Sequence, residues 1–333
     1  MIKTAINGFG RIGRTFLRKL HLHPEIELTA INDLTDTATL AHLLTYDSVH
    51  GRFPGTVEAI ADGLIINGKK INVYAEKDPS RLPWGSMGID VVMESTGHFT
   101  APEKAALHLE AGAKKVIISA PAKGDLKTIV LGVNDQLITR DDRLLSNASC
   151  TTNNAAPMIK ILDDAFTIDA AYVTTVHSYT GDQNIHDAPH KDLRRARAAA
   201  HSIIPTTTGA AKAISEVFPQ LKGKIGGAGI RVPVIDGSMT DITCIVRTKT
   251  SVEEINHLFR SAAQGAMNGI IEYTEDPIVS VDIIGNNHSC IFDALLTSVL
   301  NDGHLVKIVG WYDNESGYSK RLAELVERIG KLH

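Results

Sequence analysis

A chain of 333 residues is long enough for about two domains and a substantial core. Its 34 Lys and Arg against 38 Asp and Glu leave a net charge of -4, without the basic excess of a nucleic-acid binder. Three cysteines (Cys150, Cys244, Cys290) exclude a disulfide framework and suit a reducing compartment; the start, MIKTAINGFG, lacks a leader pattern, and no apolar run approaches the ~20 residues of a membrane span, so a cytoplasmic location is expected.

The first half alternates apolar runs with helix-period segments. Ile2–Asn7 reads as a strand, 11–21 as a helix and Ile26–Asn32 as a second strand. The segment 63–74 carries Asp-Gly and Asn-Gly turn signals and predicts an inserted hairpin. Further strands read at 89–94, 115–119 and 128–131, with a helix at 101–111. This βαβ rhythm implies a parallel sheet covered by helices.

The rhythm changes after Cys150. A helix over 151–166 leads into a strand ending near His177, followed by a long polar and basic stretch, 180–201, with no clear element. Loops of that length in compact domains are usually functional or interfacial. Strands read at 229–233, 241–248, 287–296 and Leu305–Tyr312, a helix at 252–267 and a last helix at 317–332. The expected class is α/β: a Rossmann dinucleotide-binding domain (1–149 plus a C-terminal helix, 316–333) and an α+β catalytic domain (150–315) whose sheet is mainly antiparallel.

Gly8-Phe9-Gly10-Arg11-Ile12-Gly13 follows an apolar strand and opens a helix. Glycines there allow a tight turn and close approach of a pyrophosphate, while the helix start offers amides and a positive dipole end. A lone GxGxxG is weak evidence, but Asp33 stands 20 residues past Gly13 at the end of the second strand. A carboxylate there bonds ribose hydroxyls and repels the 2′-phosphate of NADP, so NAD is expected. The plainer alternative is an Asp that caps the next helix.

Ser149-Cys150-Thr151-Thr152-Asn153 sits where a loop should enter a helix, and a helix N-terminus stabilises a thiolate. Most free cysteines are buried and structural; Cys244 and Cys290, each inside an apolar strand, fit that description. A thiolate nucleophile needs a base within reach. The chain has 14 histidines, but His177 ends the strand that returns from the helix led by Cys150, which makes their pairing plausible.

Gly8–Gly13, Ser149–Asn153, 175–179, 190–200 (HKDLRRARAAA), 205–212 (PTTTGAAK) and 311–319 (WYDNESGYS) together resemble phosphorylating glyceraldehyde-3-phosphate dehydrogenases of the bacterial type, over about residues 2–330. The resemblance implies oxidative phosphorylation of D-glyceraldehyde 3-phosphate to 1,3-bisphosphoglycerate with NAD, in a homotetramer. It implies Cys150 as nucleophile and His177 as base. Gly8, Gly10, Arg11, Ile12, Gly13, Asp33, Lys77, Ser119 and Asn314 would hold NAD, with Asn314 on the nicotinamide carboxamide. Thr180 and Arg231 would bind the substrate phosphate; Ser149, Thr151, Arg195, Thr208 and Gly209 would form or border the inorganic phosphate site. Glyceraldehyde 3-phosphate and inorganic phosphate are the expected partners, with no metal, membrane or nucleic acid. Erythrose-4-phosphate dehydrogenation and a non-catalytic nucleotide-, RNA- or protein-binding role are the alternatives. Two departures stand out: Asn154 replaces the second cysteine of CTTNC, and Arg231-Val-Pro-Val-Ile-Asp-Gly-Ser-Met-Thr-Asp differs from the commoner RVPTPNVSVVD.

Overall fold

In a computed structural model, which describes residues 1–332, the chain divides into two compact units. Residues 1–129, 135–148 and 319–332 form the first; 130–134 and 149–318 form the second.

The first unit contains β1 (Ile2–Asn7), α1 (Arg11–Lys19), β2 (Ile26–Asn32), α2 (Thr37–Thr45), β3 (Val57–Ile60), β4 (Gly63–Ile66), β5 (Lys69–Tyr74), β6 (Val91–Glu94), β7 (Lys115–Ile118) and β8 (Leu144–Ser146). Its eight-stranded sheet runs β8-β7-β6-β1-β2-β5-β4-β3, parallel from β8 to β5 and antiparallel from β5 to β3. The central strands are buried along nearly their whole length, as expected where helices cover both faces. The predicted hairpin is β4–β5, turned by Asn67-Gly68.

Two local expectations need correction. Residues 128–131 form no strand, only a bridge from Thr128 to Ser146. Asn134 Oδ1 accepts from Val130 N at 2.8 Å, so a side chain turns the backbone where a ladder would continue. The helix at 101–111 is two one-turn pieces, Pro102–Ala105 and Leu107–Glu110, meeting at Ala106. Helix α2, which the capping alternative for Asp33 presupposed without bounds, is capped by Asp36, which accepts from Thr39 N.

Under the loop after β1 lies a buried polar network. Trp84 Nε1 donates to His108 Nδ1, so His108 Nε2 carries the hydrogen and donates to Glu94 at 3.2 Å. Asn7 Nδ2 also donates to Glu94, and Asn32 Nδ2 donates to Asn7 Oδ1. These bonds tie the ends of β1, β2 and β6 together, where buried polar groups need partners.

The second unit begins with α3 (Cys150–Phe166), followed by β9 (Ile168–Ser178), β10 (Ile204–Thr206), α4 (Ala210–Val217), β11 (Ile225–Val232), β12 (Ser238–Val246), α5 (Val252–Gln264), β13 (Ile271–Thr274), β14 (Cys290–Asp293), β15 (Ser298–Leu300) and β16 (Leu305–Tyr312). The last helix, α6, spans Ser316–Gly330. The sheet order is β10-β11-β9-β12-β16-β14-β13, with β15 also on β16. Only β9–β11 and β13–β14 are parallel, so the sheet is mainly antiparallel. The predicted strand at 287–296 contracts to β14, because Asp293 accepts from Leu295 N and turns the chain into a short 3-10 helix. The stretch 180–201 contains no helix or strand. No helix among the described residues is long and apolar enough to cross a membrane.

Candidate active site

Helix α3 starts on a capped turn. Ser149 Oγ accepts from Thr152 N at 3.0 Å, and Cys150 is the first helical residue. Strand β9 leaves the far end of that helix and returns to its start. Cys150 Sγ therefore lies 3.4 Å from His177 Nε2. Cys244 and Cys290 are buried inside β12 and β14, where burial alone pushes the Cys244 thiol up to about 12.

Parallel register sets Arg231 of β11 opposite His177 of β9. Arg231 Nη1 approaches His177 Nδ1 at 2.7 Å and the Ser178 carbonyl at 3.0 Å; Nδ1 lies 2.7 Å from the same carbonyl. A guanidinium only donates and a carbonyl only accepts. Nδ1 therefore accepts from Arg231, or donates to Ser178, but not both at once. With Arg231 in contact, Nε2 holds the hydrogen.

The electrostatics agree with a resting neutral pair. Burial, then the Arg231 charge, pushes His177 down to about 3, against the Ser178 carbonyl. Burial also pushes the Cys150 thiol up; Arg231 and the first-turn groups pull it the other way and are outweighed. The lowering expected from the helix end is present as an opposing influence only.

A second cluster adjoins Arg231. Asp182, unnoticed in the sequence, accepts from Thr180 Oγ1 and from Arg195 Nη1 at 2.5 Å. Burial works against its charge, yet the Thr180 hydroxyl and the Arg231 and Arg195 charges hold its carboxyl below the usual range. Arg195 Nε also donates to Thr206 Oγ1 at 2.8 Å, and Nη2 reaches the Thr207 carbonyl at 3.4 Å. Thr208 accepts from Ala210 N, and Gly209 starts α4 without a side-chain cap. An internal carboxylate thus sits among the hydroxyl and guanidinium groups expected to hold phosphate.

Asn314 follows β16. Its Oδ1 accepts from Ser178 Oγ at 2.9 Å and Ser238 Oγ at 2.7 Å, which fixes the amide orientation and directs Nδ2 away. Tyr312 OH bonds Thr151 Oγ1 and Thr175 Oγ1, and its ring lies edge-on to His177 at 5.8 Å. Ser178, Ser238 and Tyr312 were assigned no role from the sequence, because it is cross-strand register that brings them together.

In the first unit, a cavity of about 380 Å³ is lined by Gly8, Gly10, Asp33, Lys77, Ser95 and Thr96, among others. Asp33 Oδ2 accepts from Phe9 N at 2.7 Å, and Oδ1 from Thr35 N at 2.9 Å. The capping role falls to Asp36 instead. Arg11 and Ile12 open α1, whose N-cap Gly10 bears no capping side chain. Arg11 Nη1 pairs with Asp47 at 2.6 Å, and Gly13, two residues further on, is buried. Ser119 follows β7 outside that lining.

Residues 2–102 match the sequence model for the glyceraldehyde 3-phosphate dehydrogenase NAD binding domain, and 149–314 match that for its C-terminal domain. The chain belongs to the glyceraldehyde-3-phosphate dehydrogenase family. It is 55% identical to glyceraldehyde-3-phosphate dehydrogenase of Geobacillus stearothermophilus, over 98% of each chain. It is 56% identical to that of Thermotoga maritima over the whole of both, and 53% identical to glyceraldehyde-3-phosphate dehydrogenase 1 of Bacillus subtilis over 99% and 98%.

The residues present fit the NAD of this dehydrogenase family. The cavity has a ligand-sized volume. Gly8 has φ +93, and a Cβ there would meet Thr96 N at 2.7 Å and Ser95 C at 2.9 Å, so the chain is drawn tight against the next loop. Gly8→Ala is expected to cost about 1–3 kcal/mol through backbone strain and overlap, and to weaken NAD binding. Thermal unfolding and an NAD titration test this; a variant matching the parent in both would refute it.

Proposed function

We propose that the chain oxidises D-glyceraldehyde 3-phosphate and phosphorylates the product to 1,3-bisphosphoglycerate, as the names of its relatives suggest. The observation that carries this reading is the 3.4 Å approach of Cys150 Sγ to His177 Nε2 beside Arg231.

The substrate phosphate recruits Arg231 and Thr180, and Arg231 leaves His177 Nδ1. The neutral imidazole then exchanges its hydrogen through water, losing it from Nε2 and gaining one on Nδ1, which donates to Ser178 O; the bare Nε2 takes the thiol proton. The Cys150 thiolate adds to the aldehyde carbon and gives a hemithioacetal. His177, having returned its proton to the new oxygen, removes it again as the carbonyl re-forms. NAD, when bound, supplies the hydride acceptor. The thioester left on Cys150 is opened by inorganic phosphate, whose oxygen bonds to the acyl carbon while the thiolate leaves. Arg195, Thr208 and Gly209 hold that phosphate, with Ser149 and Thr151 at the head of α3; Asp182 gives up its partners to the incoming anions.

Gly8, Gly10 and Gly13 shape the cofactor loop; Arg11 and Ile12 offer amides to the pyrophosphate. Asp33 takes the ribose hydroxyls and disfavours a 2′-phosphate. Lys77 and Ser119 add further contacts to NAD, and Asn314 meets the nicotinamide carboxamide. A homotetramer in the cytoplasm completes the reading, supported by the family and by the strand-free stretch 180–201, which suits a subunit interface.

The test is cofactor reduction with glyceraldehyde 3-phosphate and NAD, with and without inorganic phosphate. Sustained turnover only with phosphate is expected. Phosphate-independent turnover would refute the acyl-transfer half of the scheme and favour a hydrolytic relative such as an erythrose-4-phosphate dehydrogenase.

A further inference from the structure

Asp236 has no role in the scheme above, yet it is almost completely buried, and so is Asp313. A carboxylate oxygen of each lies within 4.8 Å of the other. Asp313 is supplied with donors: Oδ1 accepts from Glu315 N and Ser316 N at 2.9 and 2.7 Å, and Oδ2 from Gly285 N at 2.7 Å. Those amides make it the natural anion of the two. Asp236 has a single donor, Gly237 N at 2.8 Å on Oδ1, and its Oδ2 has none. A buried acceptor without a donor, beside an anion, is strongly unfavourable. One proton on Oδ2 removes both problems, because it turns the orphan acceptor into a donor.

We propose that Asp236 is a protonated carboxylic acid at neutral pH, that its hydroxyl donates to the Asp313 carboxylate, and that this contact positions Asn314. The proposal rests on the reading of Asn314 as the group that meets the nicotinamide carboxamide. Asp313 immediately precedes Asn314, and Asp236 lies two residues before Ser238, which donates to Asn314 Oδ1. Ser238 is in register with Tyr312 across β12 and β16. The acid–carboxylate contact therefore closes a short ring of 236, 238, 314 and 313, and Asn314 keeps its orientation while the ring holds. Gly237 makes the turn tight enough: its φ is +87, and a Cβ would meet Ser280 O at 2.4 Å.

Burial, then the Asp313 and Glu315 charges, pushes the Asp236 carboxyl up to about 9, against the Gly237 amide. In the commoner segment RVPTPNVSVVD, Asn occupies the corresponding position, and an amide donates without needing a proton. Asp236 makes the same contact conditional on pH. The sign is fixed: the folded chain keeps a proton that the unfolded chain loses near about pH 4, so stability falls as pH rises from there to about 9.

The deciding experiment compares parent, Asp236→Asn, Asp236→Ala and Asn314→Ala for KM of NAD and kcat from pH 7 to 10, with infrared spectra at pH 7. The parent is expected to show the carbonyl band of a protonated carboxyl, absent from Asp236→Asn. Its KM for NAD should rise about tenfold as pH passes 9, the scale of one lost hydrogen bond, while Asp236→Asn stays flat and resembles the parent at pH 7. Asp236→Ala should show the raised KM already at pH 7, with kcat less affected; if it fails to fold, Asp236→Asn still decides. Superimposable KM profiles for parent and Asp236→Asn, or a parent without the band, overturn the proposal. An unchanged KM in Asn314→Ala would instead overturn the reading of Asn314, and with it the positioning claim but not the proton.

Discussion

Replacing Cys150 by serine is expected to lower turnover by about 10⁴-fold or more while leaving NAD binding within about twofold. The hydroxyl would occupy nearly the same place, 3.4 Å from His177 Nε2 in the parent, so geometry is conserved and chemistry is the variable. An alcohol gives up its proton far less readily than a thiol, and an ester is opened by phosphate far less readily than a thioester. Both halves of the reaction are therefore damaged at once. Cys150 belongs to the second unit and the cofactor cavity is lined by residues of the first, so NAD affinity is a clean internal control. Turnover within tenfold of the parent would end the covalent scheme.

His177→Asn is expected to lower kcat by about 10²–10⁴-fold, the usual contribution of a positioned base. The variant keeps a polar side chain beside Cys150 and Arg231 but cannot carry the proton. Its pH behaviour is a second readout. Because burial and Arg231 push His177 down to about 3, the folded chain refuses a proton that the unfolded chain accepts below about pH 6.5. Parent stability should thus fall as pH drops from about 6.5 toward 3, and at neutral pH nothing is lost. Thermal unfolding of His177→Asn across that range should slope less steeply. Equal slopes would place the acid sensitivity elsewhere, and an unchanged kcat would remove His177 from the mechanism.

Much of the fold was readable in one dimension where pattern and structure share a cause. Ile2–Asn7, Ile26–Asn32 and Leu305–Tyr312 appear at their predicted bounds because apolar runs between turn signals have little alternative. Residues 128–131 have the same composition but end in a side-chain turn made by Asn134, which no strand pattern reports. Helices α2 and α4 were given no bounds because Thr37–Thr45 and Ala210–Val217 are only about two turns long, too short for a period to stand out. The site divides in the same way. The adjacency of Cys150 and His177 follows from a helix and the strand that returns from it, so it could be argued from order along the chain. Arg231 beside His177, the two serines on Asn314, and Asp182 among the cationic groups depend on register between strands or on the path of a loop. None of these leaves a mark on local composition. Asp236 was visible only as a departure from a commoner segment, and its meaning needed the neighbouring carboxylate.

The thiol and its base stand on consecutive elements of one unit, 27 residues apart in the chain. Asp33 and the glycine loop belong to the other. Such a division separates two heritable traits. On the proposed assignments, substitutions near Asp33 would alter which dinucleotide is preferred without touching the proton path between Cys150 and His177, and changes around α4 or Arg195 would retune the acyl acceptor without disturbing adenosine recognition. Drift in one trait leaves the other under its own selection, so a lineage can change redox currency and keep its aldehyde chemistry.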